Sequence, residues 1–405
     1  MNAKRIGREY AVLLLLGLLG IPIGAAIGAV DVLFGRVLLA VSAVRIAHVI
    51  QFVPFLAPIG VLIVWVYAKY GGISSKGMSL VFDVGHGKES NIPLRLIPFV
   101  MVSTWLTHLF GGSAGREGVA VQLGAAISHG FGKRLENYIP DASRIFLITG
   151  MAAGFSGLFQ TPIAATMFAI EVLSAGSLAL SALVPAVTAS FTACWVSSAL
   201  GLEKFSIAIS ANISLNLPVF GKLAILGVLF GLTGGIFAWG LRQAKALAAQ
   251  KIQNPLVRIA VMGACLSALL LLLHTGRYCG LGTNLISACF SGETVYSYDW
   301  LLKLVLTIGT LAAGYQGGEV TPLFSIGATL GVLLSGIIGL PVGLTAALGY
   351  AAVFGSATNT VLASVLIGAE VFGMVNLPYF FIVCAVAFAC NRNASIYTKQ
   401  HVTQL

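Results

Sequence analysis

"GMAAGFSGLFQTPIAATMFAIEVL" (residues 150–173) and "GYAAVFGSATNTVLASVLIGAEVF" (residues 349–372) align without a gap at one constant offset. Gly150, Ala152, Ala153, Phe155, Thr161, Ala164, Glu171 and Val172 meet identical residues at Gly349, Ala351, Ala352, Phe354, Thr360, Ala363, Glu370 and Val371. Each copy carries one acid in an otherwise apolar run, a coincidence that small apolar residues do not produce by chance. Upstream, "GREGV" (115–119) meets "GGEVT" (317–321) after a three-residue shift, which pairs Glu117 with Glu319, and "QLGAA" (122–126) is echoed by "SIGAT" (325–329). The chain therefore reads as two related halves, 1–205 and 217–405, with a linker at 206–216 and no separate soluble domain.

Composition places both halves in a membrane. Hydrophobic residues make up 58% of the 405, charged ones only 9%, and the mean hydropathy is +0.96; a soluble protein of this length needs a charged surface that these residues cannot build. Apolar runs recur at 10–30, 50–68, 93–110, 146–173, 177–201, 217–241, 256–274, 300–314, 322–355 and 360–390, long enough to cross or enter a bilayer, some holding two helices. They are rich in Leu, Ala and Gly and lack the alternation of barrel strands, so the fold is an all-α polytopic one and a β-barrel is excluded. The run at 10–30 is too long for a signal peptide and reads as a retained first helix with its basic start in the cytoplasm. The formal charge of +10 lies mostly in connections such as "LRQAKALAAQKIQNPLVR" (241–258). It fits positive-inside topology and contact with anionic lipid, not nucleic-acid binding.

Repeats broken by glycine and charge at matching places point to a transporter whose site lies between the halves. An inverted arrangement would aim equivalent helix breaks at one midplane point from opposite sides. Each break precedes a helix-like segment, "REGVAVQLGAAISHGF" (116–131) and "EVTPLFSIGATLGVLLSGIIG" (319–339), with Pro322 suited to a first turn. A helix that starts inside a membrane leaves its first N–H groups unpaired at the positive end of its dipole, which is an anion site made of backbone. A third break, "YGGISSKGMSL" (70–80), supplies another such end near Gly77 and Met78. Glu117, at a helix start, can fill the anion site when ionised and swing out when protonated, so proton and anion compete at one place. A structural ion pair between Arg116 and Glu117 is disfavoured, because adjacent helical residues do not face each other. Glu171 and Glu370, at matching helix ends, suit capping or topology as well as function.

Other chemistry finds little support. "GGSAG" (111–115) satisfies the G-x-S-x-G pattern, but a nucleophile elbow needs a strand before it, so an intramembrane hydrolase using Ser113 and His108 is the remote alternative. Six cysteines, at 194, 265, 279, 289, 384 and 390, show no C-x-x-C spacing and read as small core residues. No P-loop or metal-ligand cluster is visible, and no cofactor is expected.

These residues resemble a known family. "GGSAGREGV" is similar to the G-R-E-G-P signature of CLC chloride channels and chloride/proton antiporters, "GMAAGFSGLFQTPIAATMFAIEVL" resembles the helices that follow it, and Tyr397 in "NASIYTKQ" (393–400) matches the late tyrosine of the central anion site. The resemblance implies an inverted-repeat homodimer with a pore in each subunit and Glu117 as gating glutamate. Three departures matter. Met78 in "SKGMSL" replaces the serine of G-S-G-I-P, Val119 replaces the signature proline, and Val172 stands where a second, inner carboxylate is common. With Glu319 and Thr321 in "GGEVTP", this pattern resembles the fluoride/proton antiporter branch. The eight residues after Tyr397 fit a compact bacterial member of the inner membrane.

The resemblance then implies fluoride export in exchange for protons, with chloride at most a weak second anion. Glu117 and Glu319 would move protons. Gly115, Arg116, Gly118, Val119, Met78, Val320, Thr321 and Tyr397 would surround the anion. The alternative within the fold is a chloride/proton antiporter or chloride channel.

Overall fold

The structure, a computed structural model, describes residues 3–209, 213–391 and 394–402. The first half runs α1 (Ala3–Ala47), a one-turn α2 (Val49–Phe52), α3 (Leu56–Val66), α4 (Met78–Gly85), α5 (Leu96–Leu109), α6 (Glu117–Leu135), α7 (Ala142–Phe159), α8 (Pro162–Glu171), β1 (Ser174–Ala175) and α9 (Leu183–Ala199). The second runs α10 (Leu217–Lys251), α11 (Pro255–Leu272), α12 (Thr283–Ser291), α13 (Asp299–Ala313), α14 (Val320–Ile338), α15 (Val342–Thr358), α16 (Val361–Phe372), α17 (Leu377–Cys390) and β2 (His401–Val402). Seven helices or helix runs among the described residues are long and apolar enough to cross a membrane. Others, such as the ten-residue α8, are too short to cross and must enter and stop. The only sheet among the described residues is the two-residue parallel pairing of β1 with β2.

The first helix is longer than its apolar run. At 45 residues with Pro22 inside, α1 extends about 67 Å at the α-helical rise, twice the hydrocarbon thickness. It packs along α9 through Gly17, Gly20, Gly24 and Gly28, where an added Cβ would strike Val184, Thr188, Ala189 and Ala193. Small residues at this spacing let backbones touch where no hydrophobic force separates helix from lipid.

The repeat is visible as duplicated contacts. In α6 and α7, a Cβ on Gly124 would collide with the Gly150 carbonyl and one on Gly150 with that of Gly124; Gly327 and Gly349 do the same in α14 and α15. More telling is an exchange between halves. The Glu171 carboxylate, at the end of α8, accepts from the amides of Val361 (2.8 Å), Leu362 (3.3 Å) and Ala363 (3.2 Å) at the start of α16. Glu370, at the end of α16, accepts from Ile163 (3.3 Å) and Ala164 (2.8 Å) at the start of α8. Each acid satisfies orphan amides at the start of the other half's short helix.

Equivalent helices thus run in opposite senses about a two-fold relation, and the fold is an inverted repeat with broken and re-entrant helices. The joining segment is pinned to the second half. Ile207 and Ile209 donate backbone bonds to Val371 and Phe372, while residues 210–212 of the expected linker lie outside the described residues.

Candidate functional site

The two glycine breaks meet each other. Gly115 N–H donates to the Gly318 carbonyl (2.5 Å) and Gly318 N–H to that of Gly115 (2.8 Å), an isolated antiparallel bridge from which α6 and α14 depart. A Cβ on Gly115 would sit 2.9 Å from the Gly318 oxygen, so only glycine allows the approach. The bridge also sets the correspondence between the halves. With Gly115 opposite Gly318, Glu117 is the equivalent of Val320, and Glu319 that of Arg116. The sequence pairing of Glu117 with Glu319 is therefore one residue out of step: Glu117 is the first residue of α6, whereas Glu319 stands just before α14.

Glu117 is fully buried and reaches across to the opposite helix rather than over its own. Its carboxylate accepts from Thr321 N–H at 3.1 Å and from the Thr321 hydroxyl at 2.6 Å to each oxygen, with Arg116 N–H a further donor at 3.3 Å. A carboxylate here stands where a free anion would, at the positive end of α14. The Arg116 guanidinium lies beside it, Nε 3.7 Å from Oε1. That contact corrects the expectation that the two do not face each other. The rule holds for two helical residues, but Arg116 is outside the helix, at φ −130°.

Beside this contact lies a cavity of about 330 Å³ whose walls include Met78, Phe82, Gly118, Gln122, Glu319 and Tyr397. Met78 is the first residue of α4, behind Gly77 at φ +54°. Tyr397 is carried on the chain after α17, whose Ile396 N–H donates to the Ala357 carbonyl at 2.9 Å. Its ring stacks on Phe82 with centroids 5.1 Å apart. Glu319 faces the start of α6: a Cβ on Gly118 would lie 3.9 Å from its Oε2. Each broken helix thus receives the other half's acid near its first turn.

Of the residues singled out in the sequence, Met78, Gly118, Glu319 and Tyr397 line the cavity, and Thr321 holds Glu117. Gly115, Arg116, Val119 and Val320 do not line it. The Gly115 amide is spent on the bridge, and that of Val119 donates to the Arg116 carbonyl at 3.1 Å, so neither is a free donor. Missed residues are Phe82, Gln122 and Lys245. Gln122 lies one turn after Gly118 on the same face of α6, with Nε2 donating to the Gly118 carbonyl at 3.1 Å and Oε1 without a partner; the i, i+4 spacing could have found it.

The hydrolase alternative fails on geometry. Ser113 Oγ is buried against Thr307 Oγ1 at 2.9 Å and accepts from Lys303 Nζ at 2.8 Å. His108 turns its ring nitrogens to the carbonyls of Thr104 (2.9 Å) and Ala114 (3.0 Å) instead. These bonds fix the loop that presents Glu117. Among the described residues no group of three or more His, Cys, Asp or Glu could hold a metal ion.

An inverted pair of helix starts enclosing a glutamate gives the likeness to known proteins its meaning. The sequence profile of the voltage gated chloride channel family matches residues 59–392. The chain belongs to the CLC family. It is 35% identical over 346 residues to a chloride/fluoride channel protein of Pseudomonas syringae pv. tomato, covering 83% of this chain and 75% of that one. The crystal structure of a CLC-type fluoride/proton antiporter superposes with a TM-score of 0.94 at 54% identity, over 97% of this chain and 99% of the other. A slow cyanobacterial Cl⁻/H⁺ antiporter shares the fold alone, at TM-score 0.71 and 19% identity over 98% and 97% of the two chains. This CLC protein is a multi-pass membrane transport protein, not an enzyme.

Proposed function

We propose that the protein exports fluoride in exchange for protons, carrying chloride weakly, as a homodimer in the bacterial inner membrane. The observation that carries this reading is the Glu117 carboxylate seated on the Thr321 amide and hydroxyl. An ionised Glu117 and a free anion compete for the same donors. A proton on Glu117 removes its charge, frees the donors and lets an anion take them, so each proton carried one way is exchanged for anion moving the other.

Fluoride is small, strongly hydrated and a strong acceptor, and a site selective for it must replace water with close donors. The hydroxyls of Thr321 and Tyr397 and the helix-start amides at Gly118, Val320 and Thr321 supply them. Glu319, in the cavity, serves the inner proton path and can itself donate when protonated. Arg116 supplies positive charge behind Glu117 without touching the cavity. The fluoride reading is supported by the 54% identity to the fluoride/proton antiporter, against 19% to the Cl⁻/H⁺ antiporter, and by Met78, Glu319 and Thr321 in place of the chloride-type residues.

The face bearing the cavity is the cytoplasmic one. Lys76, Lys245 and Lys399 border it against the one acid Glu319, the excess of bases that the positive-inside rule places there.

The test is efflux from liposomes followed by fluoride and chloride electrodes while internal pH is recorded. Fluoride efflux with matched proton uptake and little chloride movement is expected, and Glu117→Gln should abolish proton-coupled exchange. Coupling that persists in that variant would remove Glu117 from its role, and chloride moving as fast as fluoride would replace the fluoride reading by the chloride one.

A further inference from the structure

The inner cavity has three lysines on its wall, and they are not alike. Lys76 Nζ is bound to Glu89 Oε1 at 2.7 Å, and Lys399 Nζ lies 3.5 Å from Asp83 Oδ1. Lys245 has no ion pair or hydrogen bond among the described residues.

Its place on α10 is equally distinct. Gly231, Gly234, Ala238 and Leu241 are one row of the buried face of this helix, and Lys245 is the next residue in that register, where the core ends and the cavity opens. The row would ordinarily end on an apolar residue. Here it ends on a cation without a contact ion pair, which borders the same space as Glu319, Tyr397 and Met78 and stands within Coulombic reach of the Glu319 carboxyl.

With Lys76 and Lys399 neutralised by partners outside the cavity, its charge balance reduces to Lys245 against Glu319. When Glu319 is ionised the two offset each other; when it is protonated, the ammonium is left facing the opening. A single cation at a concave mouth with low-dielectric walls draws anions in and raises their local concentration.

We infer that Lys245 is the residue that captures the anion at the inner mouth, taking it from the cytoplasm and handing it toward Met78 and Tyr397. This rests on the anion/proton exchange reading above and adds to it a first binding station outside the Glu117 site. A flexible ammonium suits the role, because it binds as a point charge without fixing geometry and releases readily.

Inside-out membrane vesicles expose this mouth to the medium, so fluoride uptake against external fluoride concentration, with a proton gradient imposed, reads the capture step. Lys245→Gln should raise the half-saturating fluoride concentration about tenfold, the factor that follows from losing about 1.4 kcal/mol of attraction. The maximal rate and the proton-to-fluoride ratio should stay unchanged, and Lys245→Arg should return the wild-type value. Raising the ionic strength with an inert salt should shrink the Lys245→Gln shift, since the cation acts on the anion through its charge.

An unchanged half-saturation in Lys245→Gln would overturn the inference. So would a shift that ionic strength leaves unchanged, or a fall in maximal rate that arginine does not restore. If wild-type vesicles take up no fluoride, it is the exchange reading that fails, and the same series run with chloride then tests the capture residue independently.

Discussion

At the scale of single residues, the site turns on one carboxylate and one threonine. Thr321 gives Glu117 two of its three donors, its N–H and its hydroxyl. Thr321→Val keeps the shape and the amide but removes the hydroxyl, leaving a buried charge with one close donor fewer; a hydrogen bond to a charged group contributes roughly 1.5–3 kcal/mol. The same hydroxyl is proposed to coordinate the anion, so fluoride turnover in Thr321→Val liposomes should fall about tenfold or more, while Thr321→Ser retains most of it. Equal rates in the valine variant would leave the threonine a spacer. Glu117 was legible in the sequence because acids are scarce, 13 in 405 residues, and Thr321 because it follows the glycine break that Glu117's own break resembles. What could not be read was that the acid crosses to the other half's helix, which depends on the Gly115–Gly318 bridge. Lys245 was hidden for the opposite reason: it lies in a basic stretch that topology alone explained.

At the scale of elements, short re-entrant helices carry the largest unsatisfied backbone load for their length, and Glu171 and Glu370 answer it across the halves. Their identical spacing made both acids conspicuous in the sequence, yet their partners are some 190 to 207 residues away, so capping and function stayed equally open there. The cap on α16 takes three amides and that on α8 two. Glu171→Ala should therefore destabilise more than Glu370→Ala, the former by roughly 3 kcal/mol or more if each orphaned amide costs 1–3 kcal/mol. Thermal unfolding in detergent, followed by loss of the monodisperse species on size exclusion, gives the order directly. A larger drop for Glu370→Ala, or none for either, would mean that the amides find other partners. The length of α1 was illegible for a related reason. Its apolar run ends near residue 30, and only the packing of its glycines along α9 and its continuation past Asp31 carry it to Ala47.

At the scale of the whole molecule, the repeat made the two-fold plan readable, but not the element that locks the halves together at the face bearing the cavity. That element is the chain after α17. Gln400 Nε2 donates to the Val172 carbonyl (2.8 Å) and to that of Thr358 (2.9 Å), tying the end of one half's repeat to the other's while Tyr397 is held against Phe82. Its last link is a histidine pair. His86 and His401 stack with ring centroids 3.6 Å apart, and the Leu173 carbonyl accepts from both His86 Nε2 (3.1 Å) and His401 N–H (3.2 Å). Burial first, and then the neighbouring His401, hold the His86 imidazole below its ordinary range, with Lys88 and Arg144 acting in the same sense against its bond to Leu173. A group whose folded pKa is depressed takes its proton more readily once released. Docking of β2 is therefore complete above the ordinary imidazole pKa of about 6.5 and weakens as pH falls below it. Amide hydrogen exchange over residues 397–402, corrected for the intrinsic pH dependence, should show less protection at about pH 5.5 than at about pH 7.5, and His86→Gln should flatten that difference. Protection that does not change with pH would mean that the stacked pair is held by the strand pairing and Gln400 alone, and that Tyr397 feels nothing of the pH on that side through this route.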